Sequence, residues 1–391
     1  MDKLNKIKNA ISYVCKGESA RLATPKQDKN LWLIGERGFD ANDNGYHLYK
    51  YLLNHPEERI HPVYVINKDS EDYQKIADLG GDIVEPGSLR HYRLLYKSGA
   101  LISTHTYGFT PNKDIYYHLA KIGLFKPKGA NVFLAHGVTD KDMPWLYRKN
   151  YKPDIFTVSC FLEHKLVKEV YKQPEDVIKG NGLCRYDGLY NPPEPEKRIL
   201  IMPTWRLWLN GLSDEEFKKS EYYEKWSSLL NDRKFISALK VKGYRITFYL
   251  HPEIKKRMNL FKFDGVEVED KNIQDLMIKS EILITDYSSV YSDMAYMDRK
   301  IIFWQFDKDR YISEHYKGLI FDFETFGTVI KPTDDIKKVV HRVIDEPRKT
   351  DDYYIHYQHF YNSGNDYCKR TVASIKEAIA KKGITWTAQR N

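Results

Sequence analysis

Short apolar runs alternate with longer amphipathic stretches along the first half of the chain. The runs at 31–35 and 61–66 have the composition of buried strands, and the stretch at 44–54 repeats apolar residues at helical spacing. Further strands are predicted at 82–84, 100–103, 131–135 and 155–158, and further helices at 71–79, 88–98 and 162–171. Strands that alternate with helices are typical of a parallel sheet covered on both faces. The pattern therefore predicts a doubly wound α/β domain over 30–190.

The same alternation restarts after a short segment of different composition. Residues 191–197, NPPEPEK, are rich in proline and charge and are predicted to be a linker. Beyond it, strands are predicted at 198–203, 245–250, 266–268, 282–285 and 300–304, and helices at 215–230, 235–242, 273–280, from about 289, and at 334–344. These elements predict a second doubly wound domain over 198–350. A C-terminal helical segment over 351–391 follows, whose helix at 367–382 is expected to pack back. Two domains suit a chain of 391 residues.

The N-terminal segment, residues 1–29, is basic and carries apolar residues at helical spacing: Leu4, Ile7, Ile11 and Val14. This stripe predicts an amphipathic helix, which either packs on its own domain or lies on an anionic membrane. The formal net charge of +8 favours anionic partners without choosing among them. The chain has no run of about 18 apolar residues and no signal-peptide pattern, so we expect a cytoplasmic protein.

Cysteine usage is consistent with a reducing compartment. Cys15, Cys160, Cys184 and Cys368 are widely spaced and form no C-x-x-C pair. Disulfide frameworks and zinc knuckles depend on closely spaced cysteines, so we expect reduced structural thiols.

Four predicted strands are followed directly by polar residues that could carry chemistry. The segments are His136 to Lys141, Thr204 to Arg206, His251-Pro252 and Thr285 to Ser289. Ligands of doubly wound sheets bind outside the carboxyl ends of the strands, so these segments form the candidate site. Each alone has an ordinary structural interpretation, such as helix capping by serine or a surface ion pair of arginine. Their joint occurrence favours a phosphate-binding site.

The residue types suit transfer of a phosphate group. A neutral histidine such as His136 takes a proton from an alcohol near pH 7, and Gly137 leaves room for a ligand beside it. Arg206 offers a bidentate phosphate contact, and a helix start at Ser288 offers free N–H groups to an anion. Asp286 would repel a phosphate, so we expect it to turn inward and fix the loop through backbone N–H groups.

Four motifs together resemble one known family. They are HGxxxK at 136–141, PTWR at 203–206, HP at 251–252 and TDYSSVYSD at 285–293. The set resembles the CDP-glycerol glycerophosphotransferase family, which includes teichoic acid primases and polymerases and capsule polyol-phosphate transferases. Three further regions also resemble the family, so the likeness covers about residues 30–380; they are 35–52, 182–187 and Gly364 to Arg370.

The resemblance implies a GT-B-like fold, with an acceptor-side domain at 30–190 and a donor domain at 198–350 that face a central cleft. It also implies a CDP-polyol donor, a lipid-linked glycan or polyol-phosphate acceptor, and peripheral attachment to the anionic inner face of the cell membrane. By position in the motifs, His136 and His251 are the predicted catalytic residues, and His251 also matches a position that holds the donor pyrophosphate. The predicted donor-phosphate contacts are Arg206, Thr204, Ser288, Ser289 and Lys141, the loop-organising residues are Gly137, Thr285 and Asp286, and secondary candidates are Arg185 and Asp187.

One motif departs from its common family form. The sequence WHGTPLK reads AHGVTDK here, so Ala135 replaces tryptophan and residues 138–140 replace the Thr-Pro-Leu run. Histidine, glycine and lysine are kept. Because this segment is expected to face the acceptor, the identity of the acceptor stays open.

Other functions also stay open at this point. A GT-B glycosyltransferase with a nucleotide-sugar donor would share the fold and the pyrophosphate site, and a non-catalytic nucleotide- or polyanion-binding module would need only cations and a helix start. No DxD-type pair follows a strand, so no obligatory metal is predicted and Mg²⁺ is an optional activator. No nucleic-acid-binding module is recognised. The sequence leaves the donor polyol, the product length and the oligomeric state undecided.

Overall fold

The computed structural model describes residues 3–24, 26–249, 252–270, 272–316, 318, 321–347 and 364–384. The chain divides into two compact units. The first unit comprises 1–138, 144–187 and 363–391, and the second comprises 139–143 and 188–362. Each unit holds a parallel sheet with helices, so the predicted α/β class with two doubly wound units is confirmed. Of the C-terminal segment that the sequence set apart at 351–391, the described residues 364–384 belong to the first unit.

The first unit, in its described part, contains a seven-stranded parallel sheet of order β3-β2-β1-β4-β5-β6-β7. The strands are β1 (Asp28–Gly35), β2 (His61–Val65), β3 (Asp82–Val84), β4 (Ser98–Ser103), β5 (Ala130–Phe133), β6 (Ile155–Thr157) and β7 (Ile178–Lys179). In the register of the sheet, Gly35 pairs with Val65 on one side and with Ser103 on the other. Because the strands are parallel, their carboxyl ends share one edge, where the segments that follow β1, β4 and β5 lie close together.

Helices cover both faces of this sheet. They are α1 (Lys3–Ala23), α2 (Asn44–Asn54), α3 (Tyr73–Ala77), α4 (Leu89–Lys97), α5 (Lys113–Lys121), α6 (Phe161–Glu169) and, in chain-order numbering, α15 (Tyr367–Lys381). One apolar cluster joins Trp32 of the sheet to α2 and to Ile375 of α15. A second joins Leu33 to Tyr13 of α1 and Leu95 of α4. Burial on both faces explains why these strands read as continuous apolar runs.

The N-terminal helix α1 packs on the first unit, but through a different face from the predicted stripe. Tyr13 and Ala20 are buried, and the Tyr13 ring meets Tyr92 of α4 edge-on with the ring centroids 5.2 Å apart. Ile11, a member of the predicted stripe, is 58% exposed, and Leu4 lies outside the residues whose side chains are described. The helix therefore docks through one face and leaves apolar surface on another.

The second unit, over its described residues, contains a six-stranded parallel sheet of order β10-β9-β8-β11-β12-β13. The strands are β8 (Glu196–Ile201), β9 (Arg245–Tyr249), β10 (Glu267–Glu269), β11 (Ser280–Thr285), β12 (Lys300–Phe303) and β13 (Thr328–Val329). Strand β8 begins inside the predicted linker, at Glu196. Ile201 at the end of β8 pairs with Ile284 of β11, so the segments that follow these two strands share the carboxyl edge.

The second sheet packs against helices through a large apolar cluster that includes Trp226, Phe248 and Ile284. The helices are α7 (Asp214–Lys218), α8 (Glu221–Leu230), α9 (Arg233–Val241), α10 (Pro252–Lys255), α11 (Ile273–Lys279), α12 (Tyr291–Tyr296), α13 (Lys308–Glu314) and α14 (Ile336–Asp345). The single helix predicted at 215–230 is two helices. The first ends at Lys218, and Ser220 caps the second, because its side chain accepts a hydrogen bond from the backbone N–H of Tyr223.

Across the described part of the chain, none of the helices combines the length and the apolar character needed to cross a membrane.

Candidate functional site

His136 lies at the carboxyl edge of the first sheet, three residues beyond the end of β5. The preceding residue, Ala135, adopts a left-handed conformation with φ of 60°, which turns the chain at this point. The His136 Nδ1–H donates to the Oδ2 of Asp43, and the His136 side chain is 61% exposed. In the neutral ring, a proton on Nδ1 leaves the lone pair of Nε2 able to accept a proton from a ligand.

Asp43 is itself held in place by buried partners. Arg185 donates from Nη1 to Asp43 Oδ1, at 2.8 Å, and to the backbone oxygen of His136, also at 2.8 Å. The side chain of Asn44 donates to the backbone oxygen of Ala135, at 2.8 Å, and accepts from the Arg185 backbone N–H, at 3.1 Å. These bonds tie the start of α2, the turn after β5 and residue 185 into one rigid cluster.

The charges of the cluster keep Asp43 ionised. Burial by itself would raise the pKa of Asp43, but the nearby His136 and Arg185 outweigh burial and hold this pKa well below its usual range. An ionised Asp43 orients the His136 ring and would stabilise an imidazolium if Nε2 took a proton. The sequence reasoning missed Asp43. The available signal was its position just before α2, inside the segment 35–52 that carries part of the family resemblance.

Glu36 supports the loop that presents Asp43. This buried residue follows β1, and its carboxyl group accepts from the backbone N–H groups of Asn42, Asp43 and Tyr46, at 3.2, 3.1 and 2.9 Å. Burial, with a smaller contribution from Asp43, raises the pKa of Glu36 to about 8. A Cβ added at Gly45 would lie 3.0 Å from the Glu36 Cγ, so the loop packs closely around this carboxyl group.

A second histidine lies beside His136. His105 follows β4, the neighbour of β5 in the sheet, and its ring centroid is 4.9 Å from that of His136, with the ring planes inclined by 36°. The His105 Nδ1 is 3.0 Å from the Oγ1 of Thr104. Burial, followed by repulsion from His136, lowers the pKa of His105 to about 4, so this imidazole is neutral at physiological pH.

The other predicted residues near the first site have different environments. Gly137 is buried directly after His136. Lys141 groups with the second unit, where its ammonium is 2.7 Å from the Oδ1 of Asp140, with both side chains almost fully buried. Asp187 accepts from the backbone N–H groups of Tyr367 and Cys368, at 2.7 and 3.0 Å, and so caps α15. Among the secondary candidates, Arg185 belongs to the His136 cluster and Asp187 is structural.

Arg206 differs most from its prediction. Its guanidinium is fully buried in the second unit rather than presented to a phosphate. The Nη2 atom lies 2.8 Å from Asp286 Oδ2, and Nε lies 2.7 Å from Asp307 Oδ2. Desolvation would lower the pKa of Arg206, but the two carboxylates raise it, so the guanidinium stays charged. The positive charge of Arg206 is therefore neutralised inside the unit by two carboxylates, and its predicted phosphate contact stays a prediction that this arrangement does not support.

Asp286 turns inward and organises the loop after β11. Its Oδ1 accepts from the backbone N–H of Thr204, at 2.9 Å, and from that of Tyr287, at 2.6 Å. Thr285 donates from Oγ1 to the backbone oxygen of Met202, at 2.7 Å, which links the ends of β8 and β11. Thr204 adds a further link, because its backbone oxygen accepts from Arg206 Nη1 at 2.6 Å. Hydrogen bonds and an ion pair thus hold the PTWR and TDYSS segments together.

Ser288 and Ser289 lie in the turn that precedes α12. The helix was predicted to start at about 289, and it begins two residues later, at Tyr291. Both are half-buried. Their backbone oxygens accept from the N–H groups of Tyr291 and Ser292, at 3.2 and 3.1 Å. His251 lies outside the described residues, so its assignment as a catalytic residue stays a prediction.

No group of three or more His, Cys, Asp or Glu side chains in the part of the chain that the structure describes is arranged to hold a metal ion. The expectation that no metal is obligatory stays a prediction.

Comparison with known proteins shows the family of the chain. Residues 18–374 match the family of CDP-Glycerol:Poly(glycerophosphate) glycerophosphotransferases. The chain belongs to this family. The sequence-based resemblance is thereby confirmed, over most of the chain.

The relatives of this family member are named as proteins of teichoic acid synthesis. It is 34% identical over 346 residues to the minor teichoic acid biosynthesis protein GgaB of Bacillus subtilis strain 168, a match that covers 83% of this chain and 37% of that protein. It is 24% identical over 331 residues to the teichoic acid glycerol-phosphate transferase of Staphylococcus aureus, covering 78% of this chain and 81% of the relative. The chain spans less than half the length of GgaB and of two poly(glycerol phosphate) polymerases that it also matches.

A solved structure supports the fold of this family member. The wall teichoic acid polymerase TagF, in a structure soaked with CDPG, matches with a TM-score of 0.65 at 17% sequence identity, over 98% of this chain and 100% of that one. At this level of identity the match concerns the fold, and it agrees with two doubly wound α/β units.

Proposed function

We propose that this chain transfers a polyol phosphate, glycerol phosphate in the first instance, from a CDP-polyol to a hydroxyl group of a lipid-linked glycan or of a growing polyol-phosphate chain. CMP is released, and the product serves teichoic acid or capsule synthesis. Family membership and the names of the relatives support the reaction class. The observation that carries the proposal is the pair of Asp43 and His136 at the carboxyl edge of the first sheet.

The chemistry follows from the geometry of that pair. His136 Nε2 takes the proton of the acceptor hydroxyl, whose oxygen attacks the β-phosphorus of the CDP-polyol. A new P–O bond forms, the bond between the β-phosphorus and the bridging oxygen breaks, and its electron pair leaves with CMP. Asp43 holds the ring in position and stabilises the imidazolium that results, as in other carboxylate–histidine pairs. Arg185 keeps Asp43 ionised and correctly placed.

The residues that hold the donor phosphates remain part of the proposal. Arg206 and Lys141 are each paired with buried carboxylates, so neither is assigned to the donor. The proposed contacts are now His251 and the turn at Ser288-Ser289, which follows β11 at the carboxyl edge of the second sheet. Transfer of a phosphate group depends chiefly on positioning and neutralisation of charge, so a few well-placed donors suffice.

The proposal is tested by CMP release from CDP-glycerol, with a lipid-linked disaccharide as acceptor. We expect the His136→Ala variant to lose activity by about 10²–10⁴-fold, because it removes the base. The matched control is His61→Ala, which removes an exposed histidine that pairs with Asp82 in the same unit. A His136→Ala enzyme that releases CMP at the wild-type rate would contradict the mechanism.

A panel of donors decides the polyol and the main alternative. CDP-glycerol, CDP-ribitol and UDP-sugars are offered in turn, and product mass reports what is transferred and how many units are added. We expect CDP-glycerol to be preferred, since most of the matched relatives are named for glycerol phosphate. Transfer of sugar from a UDP-sugar would establish the glycosyltransferase alternative instead.

Membrane attachment is proposed from exposed apolar residues beside basic ones. In the loop that follows α5, Ile122 is 67% exposed and Leu124 is 56% exposed. Lys121 and Lys126 flank this pair, and the next apolar residue, Phe125, packs on Tyr13 of α1, with ring centroids 5.2 Å apart. Exposed apolar side chains surrounded by lysine are suited to the interface of an anionic bilayer.

Liposome sedimentation tests this attachment. The double variant Ile122→Glu and Leu124→Glu should reduce sedimentation with anionic vesicles, because it places two negative charges at the membrane surface. The matched control is Val241→Glu, at an exposed apolar residue of the second unit. Equal sedimentation of the double variant and the wild type would refute the role of this loop.

A further inference from the structure

His105 is a ring-to-ring neighbour of His136 that the mechanism above does not use. Parallel pairing of β4 with β5, in which Ser103 is opposite Phe133, brings the residues after both strands to one place on the sheet edge. His105 is half-buried, whereas His136 is largely exposed. A ligand that reaches His136 at this edge therefore passes close to His105.

The two imidazoles have opposite hydrogen-bonding polarity. The Thr104 hydroxyl is buried, and its only hydrogen-bond partner among the described residues is His105 Nδ1, so the hydroxyl donates to that nitrogen. With Nδ1 as acceptor, the neutral ring carries its proton on Nε2. In His136 the Nδ1–H donates to Asp43, which leaves Nε2 as the acceptor. One ring therefore offers a lone pair and its neighbour offers an N–H donor.

We propose that His105 is a specificity residue for the acceptor substrate. Its Nε2–H donates to a hydroxyl adjacent to the one that loses its proton to His136. The site would thereby select acceptors that end in a vicinal diol, such as the free end of a glycerol phosphate unit. This inference rests on the proposed function and adds the chemical class of acceptor to it.

Electrostatics favour a neutral oxygen over a phosphate at His105. The charged and titratable groups that act on this imidazole are His136, Asp43, Arg37 and Asp40. Two of these are carboxylates, and the Arg37 guanidinium is already bonded to Asp40. Since His105 is neutral at physiological pH, it brings no positive charge to bind an anion. A hydroxyl group is the ligand that fits a neutral N–H donor in this setting.

The test compares two acceptors that differ by one hydroxyl. Both are lipid-tailed, one ending in glycerol phosphate and the other in propane-1,3-diol phosphate, which keeps the terminal hydroxyl and lacks its neighbour. Calorimetry measures the binding of each to the full-length wild type, to His105→Phe and to the control His118→Phe, an exposed histidine of α5. We expect the wild type and the control to bind the diol about tenfold more tightly, and His105→Phe to bind both acceptors equally.

A purely structural role for His105 would weaken the binding of both acceptors equally, so an unchanged preference for the diol in His105→Phe, or absence of a preference in the wild type, would overturn the inference. Absence of binding of either acceptor to the wild type would overturn it as well. CMP release from CDP-glycerol, measured in parallel, reports separately on the proposed function, and thermal unfolding confirms that His105→Phe is folded.

Discussion

Asp43 illustrates how a single residue fixes the chemistry of its neighbour. By accepting from His136 Nδ1, its carboxylate selects the ring tautomer whose Nε2 is free to act as a base. Asp43→Asn keeps the shape but can donate its amide N–H to Nδ1, which would favour the wrong tautomer. We expect kcat/KM for CMP release to fall by about 10²–10³-fold, without loss of the folded state in thermal unfolding.

The control for this change is Asp78→Asn, at an exposed aspartate that follows α3 in the same unit. It makes the same chemical substitution away from the edge of the sheet and should leave kcat/KM within a factor of two or so. If Asp43→Asn matches that control in activity, Asp43 does not orient the base.

Arg206 is the opposite case. The motif suggested a ligand contact for this residue, and the structure shows it in buried ion pairs instead. Removal of its guanidinium would leave Asp286 and Asp307 as buried, uncompensated carboxylates. We expect Arg206→Met to lower the free energy of unfolding by about 3–5 kcal/mol in urea titration. By contrast, Arg233→Met breaks an exposed pair with Asp264 and should change it by less than about 1 kcal/mol.

The KM for CDP-glycerol distinguishes a structural role of Arg206 from a role in binding the donor. Arg206→Lys keeps the charge but loses the fork that spans both carboxylates, so it should be destabilised yet fold. Its KM for CDP-glycerol at low temperature should remain within about threefold of the wild-type value. A stable Arg206→Lys enzyme with a strongly raised KM would restore the donor-contact assignment.

Among the elements, strands buried on both faces were predictable because they read as unbroken apolar runs, and α2 is observed at the predicted 44–54. Some of the elements missed lack such a pattern, although α5, with Ile115, Tyr116 and Leu119 at helical spacing, was missed despite having one. Helix α13 has the sequence KDRYISE, in which Tyr311 is the buried residue, and β13 is two residues long at the edge of its sheet. The amphipathic helix predicted in 1–29 is observed as α1, but periodicity alone did not identify which of its two apolar faces packs.

The site was predictable to a similar extent. Local motifs placed His136 and the loop at Asp286 at strand ends, since a strand end is a feature of nearby sequence. The partners come from distant sequence: Asp43 lies 93 residues before His136, and Asp307 lies 101 residues after Arg206. Without knowledge of which strands are adjacent, sequence reasoning had no means to pair these charges.

Helix α4 is anchored by a buried histidine that makes the first unit sensitive to acid. His91 Nε2 donates to the backbone oxygen of Phe109, at 2.8 Å, and its Nδ1 accepts from the Gly87 N–H, at 3.1 Å. Burial lowers the pKa of His91 to about 4, from an ordinary value near 6.5. The unfolded chain therefore takes up a proton at this residue below pH 6.5, whereas the folded chain does so only near pH 4.

The sign of the effect follows from this difference. The contribution of His91 is fully present above pH 6.5 and is lost as the pH falls from there toward 4, and it lowers the stability at pH 5 by about 2 kcal/mol relative to pH 7.5. Urea midpoints at the two pH values measure it. His91→Gln should be less stable at pH 7.5 but should lose less on acidification, whereas the exposed His118→Gln should follow the wild type. Equal pH dependence in all three would exclude His91 as the source.

On the scale of the whole molecule, the net charge of +8 overstates the cations available to a ligand. Two cations that the motifs offered to the donor phosphates, Arg206 and Lys141, are matched inside the second unit by Asp286, Asp307 and Asp140. In the proposed reaction, neutralisation of the donor would therefore come from backbone N–H groups, His251 and basic residues elsewhere, or from a metal ion.

We expect catalysis without an obligatory metal, because of the partners of Asp286. The Asp286 carboxylate is occupied by Arg206 and two backbone N–H groups, so it is not free to bind a cation beside the turn at Ser288. We expect the enzyme treated with EDTA and then freed of it to release CMP from CDP-glycerol within about threefold of the untreated rate, with added Mg²⁺ giving at most a modest gain through screening of the diphosphate. A titration with Mg²⁺, with Ca²⁺ as a control of different size and geometry, separates screening from coordination, because screening responds to both ions and a built octahedral site responds to Mg²⁺. Complete loss of activity in EDTA that Mg²⁺ alone restores would show that a metal ion is required, and would return the acidic residues of the second unit to consideration as its ligands.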